Sequence, residues 1–178
     1  MKFFETDLKG SYIIELEKLE DHRGFFTRIW DKKIFQDKGL NLKLVQTSFS
    51  FNKKRGTLRG MHFQKKPFEE EKLIRCIRGK IFDVIIDLRL KSSTYKKWIS
   101  MELKSDDLKM IYIPRGFAHG FSVLSDTAVF AYKVDNRYAP ESDSGIRYDD
   151  KSLGMTWDLS SDDIIVSDRD KELPNFQI

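Results

Sequence analysis

Lys72–Arg89 reads KLIRCIRGKIFDVIIDLR. Two runs rich in isoleucine and valine, Lys72–Ile77 and Ile81–Leu88, flank the tripeptide Arg78-Gly79-Lys80. β-branched side chains favour strands, and a glycine break between two such runs favours a hairpin. The stretch therefore predicts two antiparallel strands joined by a tight turn.

The same period-two pattern continues in both directions. Tyr12–Leu16, Gly24–Trp30, Leu42–Phe51 and Thr57–Gln64 precede it, and Trp98–Leu103, Met110–Ile113, Phe117–Leu124 and Thr127–Val134 follow it. Short polar or glycine breaks separate the later runs: Lys104–Asp107, Arg115-Gly116 and Ser125-Asp126. Two helical stretches stand out. Asp31–Lys38 has Ile34 and Phe35 on one side and Gly39 as a C-terminal stop, and Asp149–Leu153 suits one turn. Ser160–Ile178 is polar and suits a packed C-terminal arm. Many short strands at regular spacing predict an all-β fold, an antiparallel jelly roll with short peripheral helices and a pocket between its sheets. Residues 1–178 are expected to form a single domain. Inward positions should be mostly apolar, so a polar side chain pointing inward is informative.

Composition narrows the function. Of 178 residues 32 are basic and 28 acidic, a net charge of +4. No basic stripe with interleaved aromatics is present, so nucleic acid is not the expected partner; Lys53-Lys54-Arg55 reads as a solvated loop. A mild positive field does favour the arrival of a small phosphorylated ligand. MKFFETDLKG lacks the apolar core of a signal peptide, and no apolar run approaches a membrane span of about 18 residues. One cysteine, Cys76, fits a reducing cytoplasm and rules out cysteine-based zinc motifs.

Two stretches carry candidate chemistry. In LRGMHFQ, Leu58–Gln64, plain alternation puts Leu58, Gly60, His62 and Gln64 on one face and Arg59 and Phe63 on the other. A bulge at Gly60 would bring Arg59 to the side of His62. Alone, His62 fits a buried structural histidine as well as a base or a ligand. IPRGFAHGF, Ile113–Phe121, contains Pro-x-Gly-x-x-His, the second metal motif of cupin jelly rolls, which makes His119 a candidate ligand. The first cupin motif needs His-x-His and a carboxylate, yet positions 60 and 64 are glycine and glutamine and Glu69, Glu70 and Glu71 are unplaced. The expectation is no metal. Lys72, Tyr132 and Asp170 complete a second set, although each alone also suits a strand end, a core aromatic or a surface carboxylate.

These residues lie in motifs that occur in order along nearly the whole chain: DHRGFF (Asp21–Phe26), GTLRGMHFQ (Gly56–Gln64), Lys72–Arg89, Ile113–Asp150, LGMTWDL and VSDRD. In them the sequence resembles the nucleotide-sugar 3,5-epimerases typified by dTDP-4-dehydrorhamnose 3,5-epimerase. The resemblance implies a metal-free cupin-like jelly roll that needs no cofactor, acting as a homodimer whose N-terminal strands cross to the partner. Its implied substrate is a nucleoside-diphosphate 4-keto-6-deoxy-hexose, in deoxysugar biosynthesis for a surface polysaccharide such as an O-antigen. C3 and C5 flank the C4 ketone, so loss of either proton gives an enolate. The chemistry needs a base, an oxyanion stabiliser and an acid on the opposite ring face.

By resemblance, His62 is the base, Asp170 its carboxylate partner, Lys72 the enolate stabiliser and Tyr132 the acid. Arg23 and Arg59 match diphosphate-binding arginines. His119 matches a substrate-site histidine that Asp83 could orient. Gln46 and Tyr138 match nucleotide- or sugar-contacting positions; Ser48, Asp143 and Arg169, the last in place of the usual lysine, join them as candidate substrate-binding residues. Two departures bear on the base. RGFFTR has Arg28 where many relatives have glutamate, and Gln46-Thr47-Ser48 stands where they read Gln-Asp-Asn. A carboxylate can accept from thymine N3–H and an arginine cannot, whereas arginine can donate to cytosine. A CDP-linked sugar is one reading; an Arg28 facing solvent or a phosphate is the other. Competing functions on the same fold are a nucleotide-sugar 3,4-ketoisomerase, a metal cupin enzyme and a non-catalytic sugar-binding module.

Overall fold

The computed structural model describes residues 1–176; the last two residues of the expected C-terminal arm lie outside the described residues. Among the described residues, fourteen strands, two short α-helices and two 3-10 turns follow one another. One sheet contains β1 (Lys2–Glu5), β2 (Tyr12–Glu15), β10 (Lys109–Ile113), β7 (Lys72–Arg78), β12 (Ala128–Val134) and β5 (Gln46–Asn52), in that order. The facing sheet runs β13 (Asp143–Gly145), β6 (Thr57–Gln64), β11 (Phe117–Val123), β8 (Lys80–Asp87) and β9 (Trp98–Lys104). All these pairings are antiparallel; β14 (Ile165–Val166) adds a short parallel pairing to β6. The result is the expected jelly roll. Among the described residues no helix is long and apolar enough to cross a membrane.

The hairpin expected in Lys72–Arg89 does not form. β7 pairs with β10 and β12, while β8 pairs with β9 and β11 in the other sheet. The Arg78–Lys80 link is thus a corner between sheets. Gly79 (φ +78°) sits so close to Ser125–Ala128 that a Cβ there would fall 2.3 Å from the Thr127 carbonyl oxygen. Ile74 and Cys76 of β7 and Ile81 and Ile85 of β8 belong to one core cluster between the sheets. The two runs face each other and bury their apolar sides mutually, where a hairpin would have laid them edge to edge. Period two identifies a strand and its buried side; it does not say which strand lies beside it.

Two further clusters cover the outer faces. α1 (Lys32–Asp37) is capped by Asp31, whose side chain accepts from the backbone N–H groups of Lys33 and Ile34, and it lays buried Phe35 against Ile14, Leu73 and Tyr112. Met61, Val84, Ile86 and Ala118 pack under Ile146 and Leu153 behind the second sheet. Asp149–Leu153 forms turns, not a helix. The tail docks through β14 and α2 (Asp168–Lys171).

The N-terminal region divides. β1 and β2 pair with β10 of their own chain, but β3 (Leu19–Asp21) and β4 (Gly24–Phe26) form a separate two-stranded ribbon with every residue exposed. β5, at the edge of its sheet, is inverted. Its polar residues Gln46, Ser48 and Ser50 line the interior, and Phe49 (71% exposed) and Phe51 (47%) point outward.

Candidate active site

A cavity of about 370 Å³ opens between the two sheets. From one sheet it receives Arg59, His62 and His119; from the other Gln46, Ser48, Lys72 and Tyr132; Tyr138, Asp143 and Arg169 stand at its mouth. The chain therefore gathers most of the expected site residues in one place.

The geometry of β6 brings Arg59 and His62 together. His119 pairs with His62 and Phe121 with Arg59, so two steps along β11 match three along β6. The extra residue is a bulge at Gly60, whose φ of +129° suits glycine. The Gly60–Met61 peptide is cis. Plain alternation would have put Arg59 on the far face. Arg59 is held from behind, its Nε donating to Asn52 Oδ1 at 3.0 Å.

His62 Nε2 lies 2.7 Å from Asp170 Oδ1, and Asp170 Oδ2 accepts from the Gly60 N–H at 3.1 Å. Ser167 caps α2 by accepting from the Asp170 N–H, which fixes the carboxylate on the short helix. Burial alone would raise the Asp170 pKa; the His62 contact and the Gly60 N–H outweigh it and hold it below the ordinary aspartate value. With Nε2 engaged, Nδ1 is the ring nitrogen left for the cavity. A neutral imidazole held this way can take a proton, and the carboxylate behind it stabilises the imidazolium that results.

His119 mirrors this arrangement directly across the strand pair. Its Nε2 is 2.8 Å from Oδ2 of Asp83, a fully buried residue on β8. Both histidines thus present carboxylate-backed rings, and among the described residues no group of three or more His, Cys, Asp and Glu converges to hold a metal ion. On the opposite wall, period two on β7 and β12 points Lys72 and Tyr132 inward, with Ile74 and Phe130 beside them as apolar lining. At the mouth, Asp143 Oδ2 accepts from the Tyr138 hydroxyl at 2.9 Å and pairs with Arg169, and Gln46 Oε1 accepts from the Tyr138 N–H at 2.8 Å.

Arg23 and Arg28 do not reach this cavity. Arg23 sits in the turn of the exposed ribbon, 2.6 Å from Asp21, and Arg28 lies 3.5 Å from Asp31 at the start of α1. In the single chain the diphosphate role expected for Arg23 and the base contact expected for Arg28 have no place. Sequence reasoning passed over three others. Asn52 anchors Arg59, Ser50 lines the wall, and Glu70 lies 3.2 Å from Lys72 inside the cavity. Glu70 was visible only as one of three consecutive glutamates; its two-residue offset from Lys72 was the available signal.

The family profile described as dTDP-4-dehydrorhamnose 3,5-epimerase matches residues 5–177. A dTDP-4-dehydrorhamnose 3,5-epimerase of Methanothermobacter thermautotrophicus is 45% identical over 172 residues, 96% of this chain and 91% of that protein. The crystal structure of the dTDP-4-dehydrorhamnose 3,5-epimerase of Elizabethkingia anophelis superposes with a TM-score of 0.95 at 42% identity, covering 99% of this chain and 96% of that one. A dTDP-6-deoxy-D-glucose-3,5-epimerase of Legionella pneumophila, solved with dTDP-4-keto-L-rhamnose, gives a TM-score of 0.90 at 34% identity, with 99% of each chain covered.

Proposed function

The chain belongs to the dTDP-4-dehydrorhamnose 3,5-epimerase family, and we propose that it inverts C3 and C5 of a dTDP-4-keto-6-deoxy-hexose with His62 as base and Tyr132 as acid. One observation carries this assignment of roles. His62 stands on one sheet and Lys72 and Tyr132 on the other, with the cavity between them. A sugar ring seated there meets a base on one face and an acid on the other, which is what inversion of a carbon requires.

The steps follow from the chemistry of the ketone. His62 Nδ1 takes the proton from C3, the C–H electron pair moves toward C4, and the C4 oxygen becomes an enolate. Lys72 faces that oxygen; one donor aimed at a developing oxyanion is worth roughly 3–4 kcal/mol of barrier. Tyr132 then protonates C3 from the opposite side, and solvent restores the proton on the phenol and removes the one on His62. The same sequence at C5 uses the other carbon that flanks the ketone. No redox step occurs, so the reaction draws on no cofactor. Arg59 and Arg169 hold the diphosphate, and His119, oriented by Asp83, contacts the sugar.

The enzyme acts as a homodimer in the cytoplasm. Support for the dimer comes from the bare apolar side of β5, where Phe49 and Phe51 stand exposed, and from the exposed ribbon. In this reading the exposed β3–β4 ribbon is the part of the N-terminal strands that crosses, taking Arg23 to the partner's cavity. The buried free thiol of Cys76 accords with a reducing compartment. Arg28, paired with Asp31, gives the cytosine reading no support within one chain.

Proton NMR in D2O tests the reading. With dTDP-4-keto-6-deoxyglucose, deuterium should enter at C3 and C5 with inverted products. A ketone that migrates to C3 marks a ketoisomerase, and no exchange marks a binding module. Equal turnover of the CDP-linked sugar would show that the base is not selected.

A further inference from the structure

We propose that Glu70 is a positioning residue for the reaction: it aims the Lys72 ammonium at the carbonyl oxygen of the substrate. The inference rests on the enolate mechanism above and adds a residue to it. Lys72 opens β7 at the rim of the cavity, where a four-carbon side chain has many rotamers. It is nonetheless only 12% exposed, and its Nζ lies 3.2 Å from Glu70 Oε1. Glu70 is 13% exposed and is itself held, its Oε2 accepting from Gln64 Nε2 at 3.0 Å.

Gln64 is the fixed point of this chain. The two Nε2 hydrogens are shared among Glu70 and the carbonyl oxygens of Phe68 and Arg137, at 3.0 and 3.1 Å, and Oε1 accepts from the Ala139 N–H at 2.7 Å. One buried amide at the end of β6 thus ties together both loops at this rim. The path runs from Gln64 through Glu70 to Lys72 and ends at the place assigned to the C4 oxygen. Of the other two cations that line the cavity, Arg59 is held by the neutral amide of Asn52 and Arg169 by the Asp143 carboxylate at the mouth.

A carboxylate is needed here and a neutral amide does not replace it. Glutamine at position 70 can still accept from Gln64 with its oxygen, but its NH2 group then faces the lysine NH3⁺, and two donors repel. The ammonium swings away from its aim. Displacement of a catalytic group by about 1 Å costs on the order of a hundredfold in rate, so a partial displacement predicts a loss of about ten- to a hundredfold.

The test is a double-mutant cycle on the full-length protein, with deuterium incorporation from D2O into dTDP-4-keto-6-deoxyglucose as the assay. Glu70→Gln should lower kcat by about ten- to a hundredfold with KM within about twofold. Glu70→Asp should recover part of the loss. In a Lys72→Met background Glu70→Gln should change the residual rate by less than about twofold, because the group it aims is gone. Thermal melting separates folding from aim, and the Glu70→Gln midpoint should stay close to wild type. Full activity of Glu70→Gln, or an equal loss with and without Lys72, overturns the proposal while the epimerase reading stands. A wild-type protein that exchanges no deuterium overturns both.

Discussion

Asp170→Asn changes two atoms' chemistry and almost no volume, so it isolates what the carboxylate does for His62. Aspartate accepts twice, from His62 at 2.7 Å and from the Gly60 N–H at 3.1 Å. Asparagine has one oxygen and one NH2. The Gly60 N–H can only donate, so the amide oxygen must turn to it and the NH2 must turn to His62 Nε2. Nε2 then has to accept, and the imidazole proton moves to Nδ1, the nitrogen that faces the cavity. Both hydrogen bonds survive, but the base now carries a proton where it should take one. An imidazole locked in the wrong tautomer in a histidine–aspartate pair loses about ten-thousandfold in rate, equivalent to about 5 kcal/mol of barrier. The stability cost is far smaller: exchanging a charged hydrogen bond for a neutral one is worth about 1 kcal/mol, or roughly 2–4 °C in melting temperature for a chain of this size. Initial rates of deuterium entry at C3, together with a circular-dichroism melt, read both quantities on one preparation. A variant that keeps more than about a tenth of wild-type kcat would falsify the tautomer argument. A variant that melts far below wild type would show that the carboxylate holds the fold, not the proton.

Three other perturbations probe different parts of the molecule. In Gly60→Ala the new Cβ would lie 2.5 Å from Gly120 Cα and 3.0 Å from the His119 carbonyl oxygen, at a φ of +129°; both obstacles are backbone, so the variant should lose about 3 kcal/mol of stability or more, and a chemical denaturation midpoint equal to wild type would contradict the bulge. Asp87, fully buried, accepts from Arg89, Ser92 and Thr94; although burial opposes ionisation, these donors hold its pKa down at about 2. Because the folded value lies below the ordinary 3.8, the stabilisation, about 2 kcal/mol, is complete above pH 4 and vanishes as pH falls through 2. Asp87→Asn should therefore melt lower than wild type at neutral pH and converge with it in acid, and a constant gap across that window would refute the account. Excess chelator should leave deuterium exchange unchanged; loss of exchange that added divalent metal restores would mean that the enolate is stabilised by a metal and not by Lys72.

How far the sequence could be read depended on whether the relevant physics was local. The apolar, β-branched runs Thr57–Gln64 and Lys72–Ile77 located β6 and β7 to within a residue, because strand propensity is written into the residues themselves. The partner of each strand is not local. Lys72–Arg89 predicts a hairpin because a glycine turn joins two apolar runs, and nothing in those residues distinguishes a turn within a sheet from a corner between sheets. The contact that decides it, Gly79 against Ser125–Ala128, joins segments nearly fifty positions apart.

β5 shows the same limit from the side of the site. Its apolar residues Phe49 and Phe51 face outward and its polar ones face the cavity, so the rule that places apolar side chains inside assigns this strand the wrong way round. The inversion has one physical cause with two expressions. A cavity that binds a charged, hydroxylated ligand must be lined by groups that can form hydrogen bonds, and that need takes the inner face of the strand. The aromatic side chains that give β5 its strand propensity are then left on the outer face, where exposed rings cost about 25 cal/mol per Å² unless something covers them. A second copy of the chain is the simplest cover. If so, substituting Phe49 and Phe51 with serine should leave the cavity walls in place and shift the protein toward a monomer in sedimentation. A double variant that sediments as wild type would separate the polar lining of the cavity from the bare face behind it.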